Sequence, residues 1–170
     1  MNKYAQLHLK ISMDFMAKVQ LIDDASSLSI KPSPSKWSKN EILGHLIDSA
    51  YNNHQRFARA KAQGNLIFQG YDQDDWVIKN DYQNRNFHSI LGVWLTANQH
   101  MNALIERLPL DLLERPTTKH NFHRICMNLI PEGQPTSLGY LAWDYCFHLE
   151  HHISQILTDY TRISGTYETF

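Results

Sequence analysis

Four stretches of this 170-residue chain carry apolar residues at spacings of three and four, the period of a helix that buries one face. The first covers about residues 2 to 28, with Leu7, Ile11, Phe15, Val19 and Ile22 on its stripe, and ends before the linker Lys31-Pro32-Ser33-Pro34. The second opens at Ser38, an N-cap with Glu41 three residues on to complete a capping box, and Trp37 before it as a hydrophobic staple. It runs to about residue 62. The third is expected over about residues 87 to 108, burying Ile90, Leu91, Trp94, Ala97, Met101, Leu104, Ile105 and Leu108, and is stopped by Pro109. The fourth starts after Pro135 with Thr136 as N-cap and continues to about residue 160. Stripes of this length bury most simply against one another. The expected fold is therefore all-α, an antiparallel four-helix bundle in one domain covering residues 1 to 170.

The connections are unequal. Residues 69 to 77 read as a loop followed by a short helix, either a capped helix that packs Trp76 or a segment whose Tyr71, Asp72, Asp74 and Trp76 contact substrate. Residues 110 to 135 form a long irregular connection with Pro116, Pro131 and Gly133, within which residues 124 to 130 are the one short apolar run with a strand signal. Such lengths leave room for crossovers. Lys and Arg total 16 against 17 for Asp and Glu, with no basic run, so nucleic-acid binding has no electrostatic support. Cys126 and Cys146 suit neither a disulfide framework nor a thiolate zinc site and are expected as buried, inert thiols. The N-terminus lacks a signal-peptide pattern, and no stretch approaches the roughly 20 apolar residues of a membrane span. A cytoplasmic location is the expectation.

The chemistry of the chain is concentrated in its histidines. His148 and His152, four residues apart, share one helix face, and the apolar seam Leu138, Leu141, Tyr145 runs on through them to Ile156. Two readings are open for such a pair: hydrogen-bonded, half-exposed imidazoles, or two ligands of one metal ion. His151 competes with His152, since a spacing of three also keeps two residues on one side of a helix. His45 lies within Ile42-Leu43-Gly44-His45-Leu46-Ile47, and its face continues through Asp48 or Ser49, Asn52 and Arg56. A polar stripe on a core-forming helix costs stability unless its members satisfy one another or meet an ion. His54, nine residues on, points to nearly the opposite side and is expected at the surface or an interface. His120 and His123 lie in the long connection, either solvated or covering a site; His8, His88 and His100 have no partner pattern. Glu150 is about 200° around the helix from His148 and should face away.

Three ordered segments, Trp37-Ser38-Lys39-Asn40-Glu41-Ile42-Leu43-Gly44-His45-Leu46-Ile47-Asp48 with its continuation to Phe57, Tyr71-Asp72-Gln73-Asp74-Asp75-Trp76, and Asp144-Tyr145-Cys146-Phe147-His148-Leu149-Glu150-His151-His152 with its continuation to Ile156, resemble the DinB/YfiT-like superfamily of metalloenzymes. The resemblance implies a four-helix bundle holding one divalent metal ion, nickel or zinc foremost, on one histidine of the second helix and two of the last. By position these are His45, His148 and His152. It also implies a small-molecule substrate, a low-molecular-weight thiol among them, thiol S-transfer or hydrolysis as the reaction, and a homodimer. Three neutral imidazoles leave one to three positions on an ion for water or substrate, the pattern of a catalytic site. Asp48, one turn from His45, is the candidate base or hydrogen-bond partner of a ligand, Asn52 a candidate to orient bound water, and Arg56 a candidate to hold an anionic substrate group. The rival reading is a non-catalytic bundle of stress-response type, a metal binder or a helical interaction module.

Overall fold

The computed structural model describes residues 1–22 and 25–170, and its four long helices are α1 (Lys3–Val19), α2 (Lys39–Ala60), α4 (Phe87–Glu106) and α7 (Leu138–Ile156). Three short helices lie in the connections: α3 (Gln73–Lys79), α5 (Leu110–Glu114) and α6 (Phe122–Ile125). The fold is all-α, a four-helix bundle, and among the described residues β-structure is limited to two isolated bridges, Leu66 with His120 and Thr117 with Thr136.

Local chemistry sets the helix ends, and it moves several of them from where periodicity places them. Ser38 caps α2 as expected: its hydroxyl accepts the Glu41 N–H while the Glu41 carboxylate accepts the Ser38 N–H at 2.8 Å. α1 stops at Val19, well short of residue 28, and Ala25–Ser29 forms a 3-10 turn in which the Ser29 hydroxyl donates to the Ser26 carbonyl. Serine hydroxyls offer the backbone such local bonds in place of the helical ladder. Asp23 and Asp24, inside the expected helix, lie outside the described residues. α4 ends at Glu106, two residues before the expected stop.

The cap of α7 is Ser137, whose hydroxyl accepts the Tyr140 N–H, because Thr136 is engaged in a two-way backbone pairing with Thr117. α7 also ends early, at Ile156. The cause is Glu150, fully buried, which accepts the Tyr160 hydroxyl at 2.7 Å and the N–H groups of Ile163 and Ser164, folding the C-terminal segment back over its own helix. Residues 124 to 130 form no strand. Their backbone is tied to α7 by Asp144, which accepts the N–H groups of Met127 at 2.9 Å and Asn128 at 2.7 Å.

Helix order in the bundle decides what can meet. α1 packs on α4 and α7, and α2 packs on the same two, so α1 and α2 face each other across the bundle, as a crossover requires. α2 and α7 are thereby neighbours although about a hundred residues separate them. Gly44 permits a close approach on α2, where a methyl group would overlap the Tyr82 ring, and Gly139 does the same on α7 beneath Tyr4. The core between the long helices includes Trp94, edge-on to Phe15 at 4.8 Å, with Leu43, Leu46, Met101 and Leu149 fully buried. Among the described residues no helix is long and apolar enough to cross a membrane.

Candidate metal centre

His45 projects from α2 toward the facing side of α7, where His148 and His152 stand one turn apart. The ring pairs are 5.2 Å (His45 with His148), 4.7 Å (His45 with His152) and 4.6 Å (His148 with His152), all edge-to-face. One nitrogen from each histidine lies within 4.8 Å of the other two. The His45 and His148 Nε2 atoms are 3.1 Å apart. Two imidazole nitrogens bound at 2.0–2.1 Å to one ion, at angles from octahedral to tetrahedral, stand about 2.9–3.4 Å apart, so this spacing suits a shared divalent cation. The Nδ1 atoms of His45 and His148 are buried and have no protein partner. His152 is oriented by its own helix: its Nδ1 lies 2.8 Å from the Gln155 amide oxygen, so Nδ1–H donates there and the Nε2 lone pair is left free.

Burial sets the charge state. It pushes the His45 pKa down to about 3 and that of His152 to about 4, although the Gln155 bond works against the shift at His152; it holds His148 well below the ordinary value, with the neighbouring imidazoles adding to the effect. All three rings are neutral at pH 7 and present lone pairs, so an incoming cation has no ligand protons to displace. Trp37, expected as a helix staple, lays its ring 4.9 Å from His45 and 6.3 Å from His152, roofing the cluster with an aromatic surface.

The histidines open onto a cavity of about 410 Å³ whose wall includes Ser49, Asn53, Arg56, Tyr71, Asp144 and Tyr145. Arg56 was expected near the site and borders this cavity. Asp48 does not: it accepts the Tyr82 hydroxyl at 2.8 Å and the Asn80 amide at 3.2 Å, on the side of α2 that faces the α3 region. Three residues correspond to about 300° of rotation, which carries Asp48 off the His45 face, whereas four residues bring Ser49 back near it. Asn52 donates to the Asp48 carbonyl and borders a neighbouring cavity of about 190 Å³. Asn53, one position on, takes the place on the metal-side wall.

The carboxylate that periodicity did not single out is Asp144, one turn before His148 and 3 % exposed. Its signal was available: it sits four residues before His148, on the same face as the seam. Burial raises its pKa above the usual carboxylate range, against the lowering by the bonds from Met127 and Asn128. Gln155 could have been found the same way, three residues after His152. Tyr71 borders the cavity, its phenol pushed up to about 12 mainly by burial. His151 also lines the cavity, with its Nε2 3.2 Å from the Gln155 amide nitrogen. His120 is buried, neither solvated nor covering the site: its Nδ1 accepts the Phe122 N–H, so Nε2–H donates to the Gln134 carbonyl at 2.8 Å. His123 accepts from Arg124, and His54 stacks on His100 at 4.3 Å. Cys126 and Cys146 are free and buried, and burial raises both thiol pKa values.

Residues 13–156 match the sequence model of the DinB superfamily. The chain is 27 % identical over 120 residues to a protein of Oceanobacillus iheyensis named a putative metal-dependent hydrolase, and 24 % identical over 120 residues to one of the same name from Bacillus mycoides. Each match covers 71 % of this chain but only 63 % and 62 % of the relatives, less than two thirds of their length. Among solved structures, YfiT from Bacillus subtilis, described as a probable metal-dependent hydrolase with an unusual four-helix bundle topology, superposes with a TM-score of 0.72 at 19 % identity, over 92 % of this chain and 83 % of that one. A mycothiol-dependent maleylpyruvate isomerase superposes with a TM-score of 0.64 at 8 % identity, over 89 % and 58 % of the two chains. At these identities the superpositions speak to the fold.

Proposed function

The chain belongs to the DinB superfamily, and from that premise we propose that it is a metal-dependent enzyme in which His45, His148 and His152 hold one divalent ion beside a small-molecule cavity. The observation that carries the reading is the convergence of three neutral imidazole nitrogens from two helices, with 3.1 Å between two of them, at the wall of a cavity of about 410 Å³. A core histidine with only a structural duty would be met by hydrogen-bond partners, not by two other imidazoles. The names of the two sequence relatives support the same assignment. Nickel and zinc both suit an all-imidazole donor set.

A divalent ion there supplies Lewis acidity, lowering the pKa of a water or thiol toward neutrality. The protein's own groups do the rest. Trp37 shields one side of the cluster, Gln155 fixes the His152 ring, and Asp144, its oxygens held by Met127 and Asn128, sets a negative charge on the cavity wall. Asp48, bonded to Tyr82 and Asn80 outside the cavity, is assigned to hold Tyr82 against α2 instead. Arg56 is assigned to substrate binding.

Elemental analysis of protein prepared without chelator or polyhistidine tag is expected to give about one divalent ion per chain; a metal-free protein that also refuses zinc and nickel would sink the assignment. Turnover then separates the two chemistries. The metal-loaded protein is offered a panel of esters and amides, and in parallel low-molecular-weight thiols with an electrophilic acceptor. Cleavage without thiol identifies a hydrolase, thiol-dependent conjugation a transferase, and inactivity in both panels favours the non-catalytic metal binder.

A further inference from the structure

Arg56 carries a buried charge that no carboxylate meets in a direct ion pair. The residue is 7 % exposed, yet its hydrogen bonds go to neutral groups, from Nη1 to the Asn53 amide oxygen at 3.1 Å and from Nη2 to the Gln69 carbonyl at 3.4 Å. Its Nε is buried with no partner at all. The ion pairs among the described residues are Lys18 with Asp14, Lys31 with Glu41, Lys79 with Asp75 and Arg115 with Asp111; none includes Arg56. Asp144 borders the same cavity and its charge favours that of Arg56 from a distance, but its oxygens accept from Met127 and Asn128 and make no bond to the guanidinium. Burying a guanidinium among neutral acceptors is costly, and a cost of this kind is recovered when a ligand brings the missing charge.

Position adds to the argument. His45, Ser49, Asn53 and Arg56 stand on successive turns of one face of α2, all of them on the wall of the metal-side cavity. Arg56 also borders the adjacent cavity of about 190 Å³, where Arg59 supplies a second cation and no acidic side chain is present. Eleven residues of helix set the His45 and Arg56 backbones about 16 Å apart, three turns along one face.

We propose that the substrate is an elongated small molecule bearing a carboxylate at the end remote from its reacting atom, with the carboxylate on Arg56 and the reacting atom at the three histidines. A carboxylate suits the planar fork of a guanidinium, and a phosphate dianion would meet the stronger repulsion from Asp144 on the same wall. The proposal rests on the metal reading above.

The test uses cobalt-loaded protein, titrated with 6-mercaptohexanoate and with the uncharged 6-mercaptohexanol, and reads the sulfur-to-cobalt absorption band. The acid is expected to bind at least about tenfold more tightly than the alcohol, the scale of one charge-assisted hydrogen bond. Arg56→Gln is expected to abolish that preference while leaving affinity for the alcohol unchanged, and Arg56→Lys to keep part of it. Equal affinities in the unmodified protein, or a preference that survives Arg56→Gln, would overturn the proposal while leaving the metal centre intact. Failure to take up cobalt overturns both. If Arg56→Gln does not fold, the acid-to-alcohol ratio in the unmodified protein decides the matter alone.

Discussion

Two buried histidine sites in this bundle have opposite surroundings. His8, on α1, is fully buried and lies across from α4, with Nε2 3.1 Å from the Asn98 amide oxygen and Nδ1 3.3 Å from the Asn102 amide oxygen. Burial lowers its pKa, so the ring is neutral: Nε2–H donates to the Asn98 oxygen, while Nδ1 faces the Asn102 oxygen. Tyr145 stacks on the ring at 5.7 Å and donates its hydroxyl to the same Asn98 oxygen at 2.9 Å. Both nitrogens of this imidazole face amide groups of α4. At the other site, two Nδ1 atoms are unmet and two Nε2 atoms point at each other. Amide partners make a buried histidine part of the scaffold; imidazole partners gather nitrogens at one point, an arrangement that suits a divalent cation.

The contrast is broken most directly at the ligands. His45→Ala and His148→Ala are each expected to lower metal affinity by more than about 100-fold, beyond the usual cost of losing an outer partner, while His8→Leu leaves the metal content unchanged. Elemental analysis of the three variants checks this, and metal loss in His8→Leu would erase the distinction. In stability the ranking reverses. His8→Leu is expected to cost about 2 kcal/mol in denaturant unfolding of metal-free protein, because the amide groups of α4 lose a buried partner.

The same variant tests the charge of the scaffold site. Its folded pKa lies below the unfolded value of about 6.5, so the contribution is complete above that pH and is lost as pH falls below it, where the unfolded chain binds a proton that folded His8 refuses. Stability against pH should therefore fall less steeply below about 6.5 in His8→Leu than in the unmodified protein. A steeper fall would mean that the imidazole is buried as a cation. Gln155→Ala, which frees the His152 ring, is expected to weaken metal binding about tenfold without unfolding the protein, as a competition titration would show. The smallest effect is expected at the residue joining the two sites: Tyr145→Phe removes one buried hydrogen bond to Asn98 and should cost about 1 kcal/mol with metal stoichiometry preserved.

Much of the frame was legible because it is local. Apolar spacing marks all four long helices, the Ser38 and Glu41 box marks the start of α2 to the residue, and Pro109 bounds α4 within a few positions. The errors fall where a distant partner intervenes. Thr136 reads as the cap until Thr117 claims its backbone, and residues up to 160 read as helix until Glu150 draws the following segment back. At the site, periodicity places His148 and His152 on one face, but the direction of Asp48 was lost to a one-residue ambiguity between Asp48 and Ser49. A helix turns 100° per residue, so that single step separates the cavity wall from the Tyr82 side.

What the amino-acid order determined by itself is which residues share a helix face: the His148 and His152 pair, the polar stripe through His45 and Arg56, and the apolar seams that oblige the helices to associate. What only the tertiary structure decided is which faces meet. Because α1 and α2 lie across the bundle, α2 is packed against α7, and His45 closes on two imidazoles about a hundred residues away. The same arrangement sets His8 against the amides of α4. Periodicity is a short-range property of the backbone, whereas the choice of neighbour follows from long connections and the close packing of whole faces, which no local spacing encodes.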